Sequence, residues 1–341
     1  MDSASAVSLL DLAEDLSPGM TGPSASESIE AVDARSGEMR AALAWFVDAG
    51  RPDEALRLAN ALYRLWIVKR RFEEGDRAFN QVLESGAGDD RIRARAFLSA
   101  GFMPFWMGDD DRAGSLFGQS LELARQLDDA PLISQSLGGL ARVALRTDVP
   151  EGRRLAHEAL EVSEAAGDEA GRSNALHLLG VGAQIAGDLA EARDWMTERL
   201  ALVRSLGNDF LVASEAANLS MVERQLGNLD VAEKLDREAL VLGGRIGDEF
   251  TKPFAITGLA AIATDQGKPV RAATLLGAAE AMMESQHMEW PPDERPHYER
   301  MLADLPQAMG VAEFERVRLA GKSMSPAEAV ALALTDAESS T

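Results

Sequence analysis

The chain of 341 residues contains no cysteine. Disulfides, thiolate metal sites and cysteine nucleophiles are thereby excluded. Positive charge is also scarce: 34 Lys and Arg stand against 56 Asp and Glu, a formal net charge of −22. A protein that grips duplex nucleic acid needs a basic footprint, and this sequence shows none, so direct nucleic-acid binding is not expected. The surplus acid is read first as solubilising charge. No apolar run approaches the ~20 residues that span a bilayer. Met1-Asp2-Ser3 places no basic region ahead of Leu9-Leu10, so a signal peptide is not expected either. The expected setting is the cytoplasm.

Motifs of catalysis are missing too. His157, His177, His287 and His297 have no metal-ligand spacing, and no His-Glu-x-x-His, EF-hand or Gly-x-Ser-x-Gly pattern occurs. Gly321-Lys322-Ser323 has Arg316 where a phosphate loop needs its first glycine, and reads as a turn between helices. Asp109-Asp110-Asp111 read as cap and first-turn acids, stabilised by the helix dipole, in preference to a cation site. No metal or cofactor is expected.

What the sequence does contain is a repeat of about 40 residues. Gly108-Asp109, Gly187-Asp188, Gly227-Asn228 and Gly267-Lys268 recur in register, with Thr147-Asp148 filling the one gap. Leu127-Asp128, Gly167-Asp168, Gly207-Asn208 and Gly247-Asp248 form a second series between them. Two interleaved turn series mean two helices per repeat, the signature of an α-solenoid. First (A) helices are predicted at about 53–69, 91–107, 131–146, 171–186, 211–226 and 251–266. Second (B) helices fall at about 72–85, 110–127, 150–166, 190–206, 230–246 and 270–286. Stripes such as Leu189, Ala192, Met196, Leu200, Val203 and Leu206 carry the helical period.

Residues 1–27 are expected to be loose apart from a short helix around Val7–Leu16. Residues 28–288 form the repeat domain, which opens with a helix over Glu30–Ala49. After Trp290-Pro291-Pro292 stops the sixth B helix, residues 289–337 should supply a terminal cap of short helices over Glu299–Ala308, Val311–Ala320 and Pro326–Leu334. Ser325, Pro326 and Glu328 make a strong start for the last of these.

Small residues recur at Gly101, Gly180, Ser220 and Ala260 in the A helices, and at Ala113, Ala192, Ala232 and Ala272 twelve residues later. This spacing resembles the tetratricopeptide repeat (TPR), with Phe117 in the family's aromatic place. The fold it implies is all-α: a right-handed solenoid of about six helix-turn-helix repeats with a helical cap. These repeats are longer than the usual 34 residues, and the aromatic expected early in helix A is mostly missing. The segments Glu38–Phe46, Glu54–Ala59 and Leu65-Trp66 resemble the entry to the C-terminal repeat region of LuxR-type and AfsR-type signal-transduction ATPases. Ala272–Glu280, Pro291-Pro292, Tyr298-Glu299-Arg300 and Ser325–Leu334 resemble its exit. The resemblance covers roughly residues 30–335 and implies a sensor that receives a small inducer or a protein. The family's ATPase and DNA-binding outputs have no counterpart here.

In such repeats the A helices line a concave groove. Registering on the small residues places Asn60, Arg64, Arg95, Phe102, Phe105, Trp106, Asn174, His177, Gln184, Met221, Arg224 and Gln225 on that face, together with Thr257 and Thr264. Trp66 lies one helix earlier than the aromatic cluster. Arginine beside aromatics suits an anionic or planar ligand. The competing reading makes the aromatics inter-helix core and the arginines merely solvated. Pro104 either kinks its helix and shapes a pocket, or marks a bend or an early end.

Two functions stand open. The first is a non-enzymatic regulatory sensor or adaptor that binds a small effector, a peptide or a protein segment. The second is a small-molecule binder or cyclase-like enzyme of specialised metabolism, with His177 as the acid–base candidate and a closed pocket of roughly 300–1,000 Å³. A homodimer contact through Ala329–Leu334 is a further expectation, set against its use as a packed cap.

Overall fold

The repeat dictates the fold seen in the computed structural model, which describes residues 1–21, 25–247, 251–286, 288–290 and 295–335. Every described element is helical. Three helices lead: α1 (Ser3–Leu16), α2 (Ala25–Asp33) and α3 (Ser36–Asp48). The A helices are α4 (Pro52–Val68), α6 (Asp90–Met107), α8 (Ala130–Ala144), α10 (Glu169–Ala186), α12 (Asp209–Gln225) and α14 (Lys252–Asp265). The B helices are α5 (Phe72–Leu83), α7 (Asp110–Gln126), α9 (Val149–Ala166), α11 (Leu189–Ser205), α13 (Leu229–Ile246) and α15 (Pro269–Ser285). The last three are α16 (Arg295–Met309), α17 (Val311–Lys322) and α18 (Pro326–Leu334). The architecture is an all-α, TPR-like solenoid.

Turn chemistry sets these boundaries. Gly108 ends α6 at φ 82, in the left-handed region that glycine enters without steric cost. The next residue, Asp109, accepts from the Arg112 N–H and caps α7. Asp148 caps α9 in the same way, whereas the Asn228 side chain makes no cap bond and donates instead to Glu223 Oε2. Pro104 does not end α6 early; it sits in the last turn, and its carbonyl accepts from the Asp109 N–H.

The chain divides into two compact units, Met1–Trp195 and Met196–Thr341. In the first, one core cluster runs from Ala6 to Met103 and a second joins α6, α7 and α8. Phe117 is wedged between α6 and α8. A Cβ on either Gly101 or Gly139 would come within 2.5 Å of its ring. Bare backbone on both sides therefore makes room for one aromatic knob.

The N-terminal segment departs from the expectation of looseness. Ala6, Leu9, Leu10 and Ala13 recur at helical spacing and are buried, and the Arg57 guanidinium holds Glu14. Four apolar side chains on one face outweigh a composition rich in Ser and Asp. The single helix expected over residues 30–49 is two, α2 and α3. Asp33 at the end of α2 pairs with Arg71 at 2.7 Å and with Lys69 at 3.4 Å, tying the break to the end of α4.

In the second unit, α15 and α17 touch backbone to backbone. A Cβ on Gly277 would lie 2.0 Å from the Arg318 carbonyl oxygen, and one on Gly321 the same distance from that of Thr274. Beside this contact Glu280 is buried among cations and a phenol. The Arg318 fork donates to both its oxygens at 2.8 Å, and the Tyr298 hydroxyl donates at 2.8 Å. Burial and this bond push the Tyr298 phenol up to about 12. The run Ala329–Leu334 forms α18 and turns Ala329 and Ala333 inward. Arg237 and Arg271 donate to its terminal carbonyls. Pro291, Pro292 and His287 lie outside the described residues.

Candidate functional site

In the first unit, α6 sits between two cores. Ala96, Ala100 and Met103 face the N-terminal cluster, while Ala94, Leu98 and Phe105 face the next. The helical period leaves Arg95 and Phe102 on the remaining side, with Phe102 half-buried against both clusters. Burial on α4 likewise leaves Asn60 and Arg64 outside its core stripe. On α10 it leaves Asn174, His177 and Gln184 half-buried outside the core set.

On α4 and α6 these polar side chains stand beside an aromatic cluster. The Arg64 guanidinium lies 5.7 Å from the Tyr63 ring centre, Tyr63 lies 6.3 Å from Phe102, and Phe102 meets Phe117 edge-on at 5.2 Å. Asn60 Nδ2 is 3.5 Å from the Ile92 carbonyl oxygen, at the limit of a hydrogen bond, and the buried Asn60 Oδ1 has no partner. Arg142 donates to Asn174 Oδ1 at 2.6 Å. Gly138 makes room for that amide, since a Cβ there would lie 2.5 Å from Asn174 Nδ2. Tyr63 and Arg142 were not singled out from sequence. Gly139, at Phe117, is the register mark that would have placed the third A helix.

Charge distribution sets this face apart. Neighbouring arginines are spent on carboxylates: Arg57 on Glu14, Arg91 on Asp129 and Arg93 on Asp90. Arg64 and the exposed Arg95 have no carboxylate at ion-pair distance among the described residues.

Several expected groove residues are placed elsewhere. Trp66 is 2 % exposed and packs edge-on against Phe79. Gly75 leaves the space for it, because a Cβ there would meet Trp66 at 2.9 Å. Phe105 is core, with the Arg146 guanidinium 3.8 Å above its ring centre. Trp106 is 52 % exposed and stacks on Phe72 at the start of α5, so it belongs to the turn edge.

In the second unit the expected face is covered by the chain itself. Met221 and Arg224 are buried and line a recess with Phe254, Thr257 and His297. The recess measures about 20 Å³, room for one water. Arg224 is not a free groove arginine: it pairs with Asp265 at 3.4 Å, and Asp265 also takes Arg300 of α16 at 2.6 Å. Gln225 reaches His297 at 3.1 Å. Burial, then Arg224 and Arg300, push the His297 imidazole down to about 4, against the pull of Asp265. Thr257 and Thr264 spend their hydroxyls on Pro253 and Ala260 carbonyls of their own helix.

No family model matches the chain. Curated relatives from Mycobacterium tuberculosis and Mycobacterium bovis, each named "Putative HTH-type transcriptional regulator", are 26% identical over 257 residues. The match takes in 70% of this chain and 29% of theirs, so the chain spans less than a third of their length. Among solved structures, a Rap protein complexed with competence and sporulation factor aligns over 96% of this chain and 100% of its own, with TM-score 0.57 and 14% identity. A signal transduction ATPase with a tetratricopeptide repeat sensor from Pyrococcus horikoshii aligns over 94% of this chain and 53% of its own, with TM-score 0.58 and 13% identity. NprR in complex with its cognate peptide NprX aligns over 80% and 78%, with TM-score 0.55 and 14% identity. At these identities the likeness establishes the TPR-like fold alone. Among the described residues, no helix is long and apolar enough to cross a membrane, and no cluster of three His, Asp or Glu is arranged to hold a metal.

Proposed function

We propose that this chain is a non-catalytic sensor or adaptor module that binds a peptide or protein segment along the A-helix face of its first unit. The observation that carries the reading is the pair Arg64 and Arg95 on adjacent A helices, without carboxylates at ion-pair distance among the described residues and with Arg64 over Tyr63, in a chain of net charge −22. Rap and NprR, solved with a signalling factor and a peptide, support a peptide partner. The regulators matched in mycobacteria support a regulatory setting. The recess in the second unit falls far below the several hundred Å³ of small-molecule sites, so it lends no support to the enzyme reading.

A peptide-display selection on the intact protein tests this. Selected peptides should slow amide exchange in α4 and α6. A selection that yields no binder, or binders that protect only B helices, would sink the reading.

A further inference from the structure

The charge on the A-helix face says more than that something binds there. This inference rests on the proposed function and names the chemistry of the partner.

Arginines in this protein are seldom left idle. Many reach a carboxylate on a neighbouring helix or turn: Arg112 to Asp76, Arg146 to Asp110, Arg153 to Asp188 and Arg245 to Asp209. With acids outnumbering bases 56 to 34, an arginine without a carboxylate is not short of candidates. Among the described residues, Arg64 and Arg95 nevertheless stand on adjacent A helices with none, and Arg64 lies over the Tyr63 ring, which in turn packs against Phe102. Two uncompensated guanidiniums, one of them over the Tyr63 ring, make a site for carboxylates carried on a chain that also has an apolar side chain to lay on the aromatic floor.

We propose that this face recognises an extended acidic segment, with one carboxylate on Arg64, a second on Arg95 and an apolar residue between them on Phe102 and Tyr63. Packed helices lie about 8–10 Å apart and an extended chain advances about 3.3 Å per residue, so the two carboxylates fall roughly three residues apart. The net charge sharpens the assignment. A chain of −22 repels acidic peptides in bulk and attracts basic ones, so a preference for acid has to come from a local site.

Fluorescence anisotropy on three short dye-labelled peptides tests the proposal. One carries two Glu about three residues apart around a Leu, the second has Gln at both positions, and the third has Lys. The Glu peptide should bind about tenfold tighter than the Gln peptide for each carboxylate engaged, and should weaken with added salt. Arg64→Glu with Arg95→Glu should abolish that preference. Arg77→Glu, at an exposed arginine of α5 that also has no carboxylate at ion-pair distance among the described residues, should leave it intact. Helicity and melting temperature of each variant confirm that it folds. Equal binding of Glu and Gln peptides, tighter binding of the Lys peptide, or indifference to the double charge reversal overturns the acidic class. If display-selected neutral peptides still protect the A helices, the adaptor reading survives that failure. If no peptide of any composition binds, both fall.

Discussion

Glu215 has no exposed surface and its partner Arg199 is 6 % exposed, so their ion pair is fully inside the second unit. Glu215 Oε2 also accepts from Asn218 Nδ2 at 3.3 Å. Removing one member of a buried pair takes from the other charge the partner that offsets its desolvation, at a cost of about 3–5 kcal/mol. Glu215→Ala should therefore lower unfolding free energy by roughly that amount in urea titrations. Replacing both members with apolar residues, as in Arg199→Met with Glu215→Leu, should recover most of the loss, because desolvation of two charges offsets much of their attraction. A double variant as unstable as the single one would show that the pair itself is what holds the site. His297 gives a second prediction. Its folded value near 4 lies below its ordinary 6.5, so between those values the unfolded chain binds a proton that the folded protein refuses. Stability then falls as pH drops through 6.5, and the loss is complete below about 4. The wild type should lose more melting temperature than His297→Gln between about pH 7 and 5, above the range where carboxylates protonate. Parallel curves would contradict the shifted imidazole. Neither residue was picked out from sequence for these roles. Arg199 sits in a B-helix stripe between Met196 and Leu200, and Glu215 in an A helix among alanines. Two opposite charges inside consecutive apolar stripes were the available signal.

At the scale of elements the sequence was largely legible, because turn residues and apolar spacing act locally. All twelve repeat helices lie within two residues of their expected ends. The misses have local causes. α1 buries a stripe that composition disguised, and the break between α2 and α3 depends on Asp33 meeting Arg71 and Lys69 about 40 residues later. The candidate site was legible only in part. Asn60, Arg64, Arg95, Phe102 and Asn174 fall outside the core stripes as registered. Trp66 depends on the gap left by Gly75, and Arg224 on Asp265 and the covering α16, which only the folded chain supplies. The contact of α15 with α17 yields a prediction of its own. Gly321→Ala would force a methyl against the Thr274 carbonyl oxygen, a backbone atom that cannot rotate away. Separating the helices should cost about 1–3 kcal/mol or more. Gly118→Ala on α7 is the matched control, since nothing lies within 4 Å of its added Cβ. It should raise stability by about 0.5–1 kcal/mol through helix propensity. Thermal melts of the two variants should therefore move in opposite directions, and a shared direction would refute the close-contact argument.

Across the whole molecule, ion pairs recur at a common spacing a little shorter than the ~40-residue repeat. Arg112–Asp76, Arg146–Asp110, Arg153–Asp188, Arg245–Asp209 and Arg300–Asp265 each span 35 or 36 residues. They are largely surface pairs, worth at most about 1 kcal/mol each, so they set register between neighbouring helices more than they add stability. Cohesion comes from each helix pair burying its apolar side against the next, and stability in such an array is close to a sum of repeat and nearest-neighbour terms. A lesion should then be felt near where it is made. In Glu215→Ala, amides of α12 and α13 should exchange faster in proportion to the lost free energy. Those of α4, α5 and α6, in the other compact unit, should keep their protection. Exchange that quickens equally in both units would mean that the chain opens as one cooperative body. The acidic-segment face on α4 and α6 would then fail together with the core of the second unit. Local loss would instead leave that face competent to bind, so peptide affinity measured on Glu215→Ala reads the same question from the functional side.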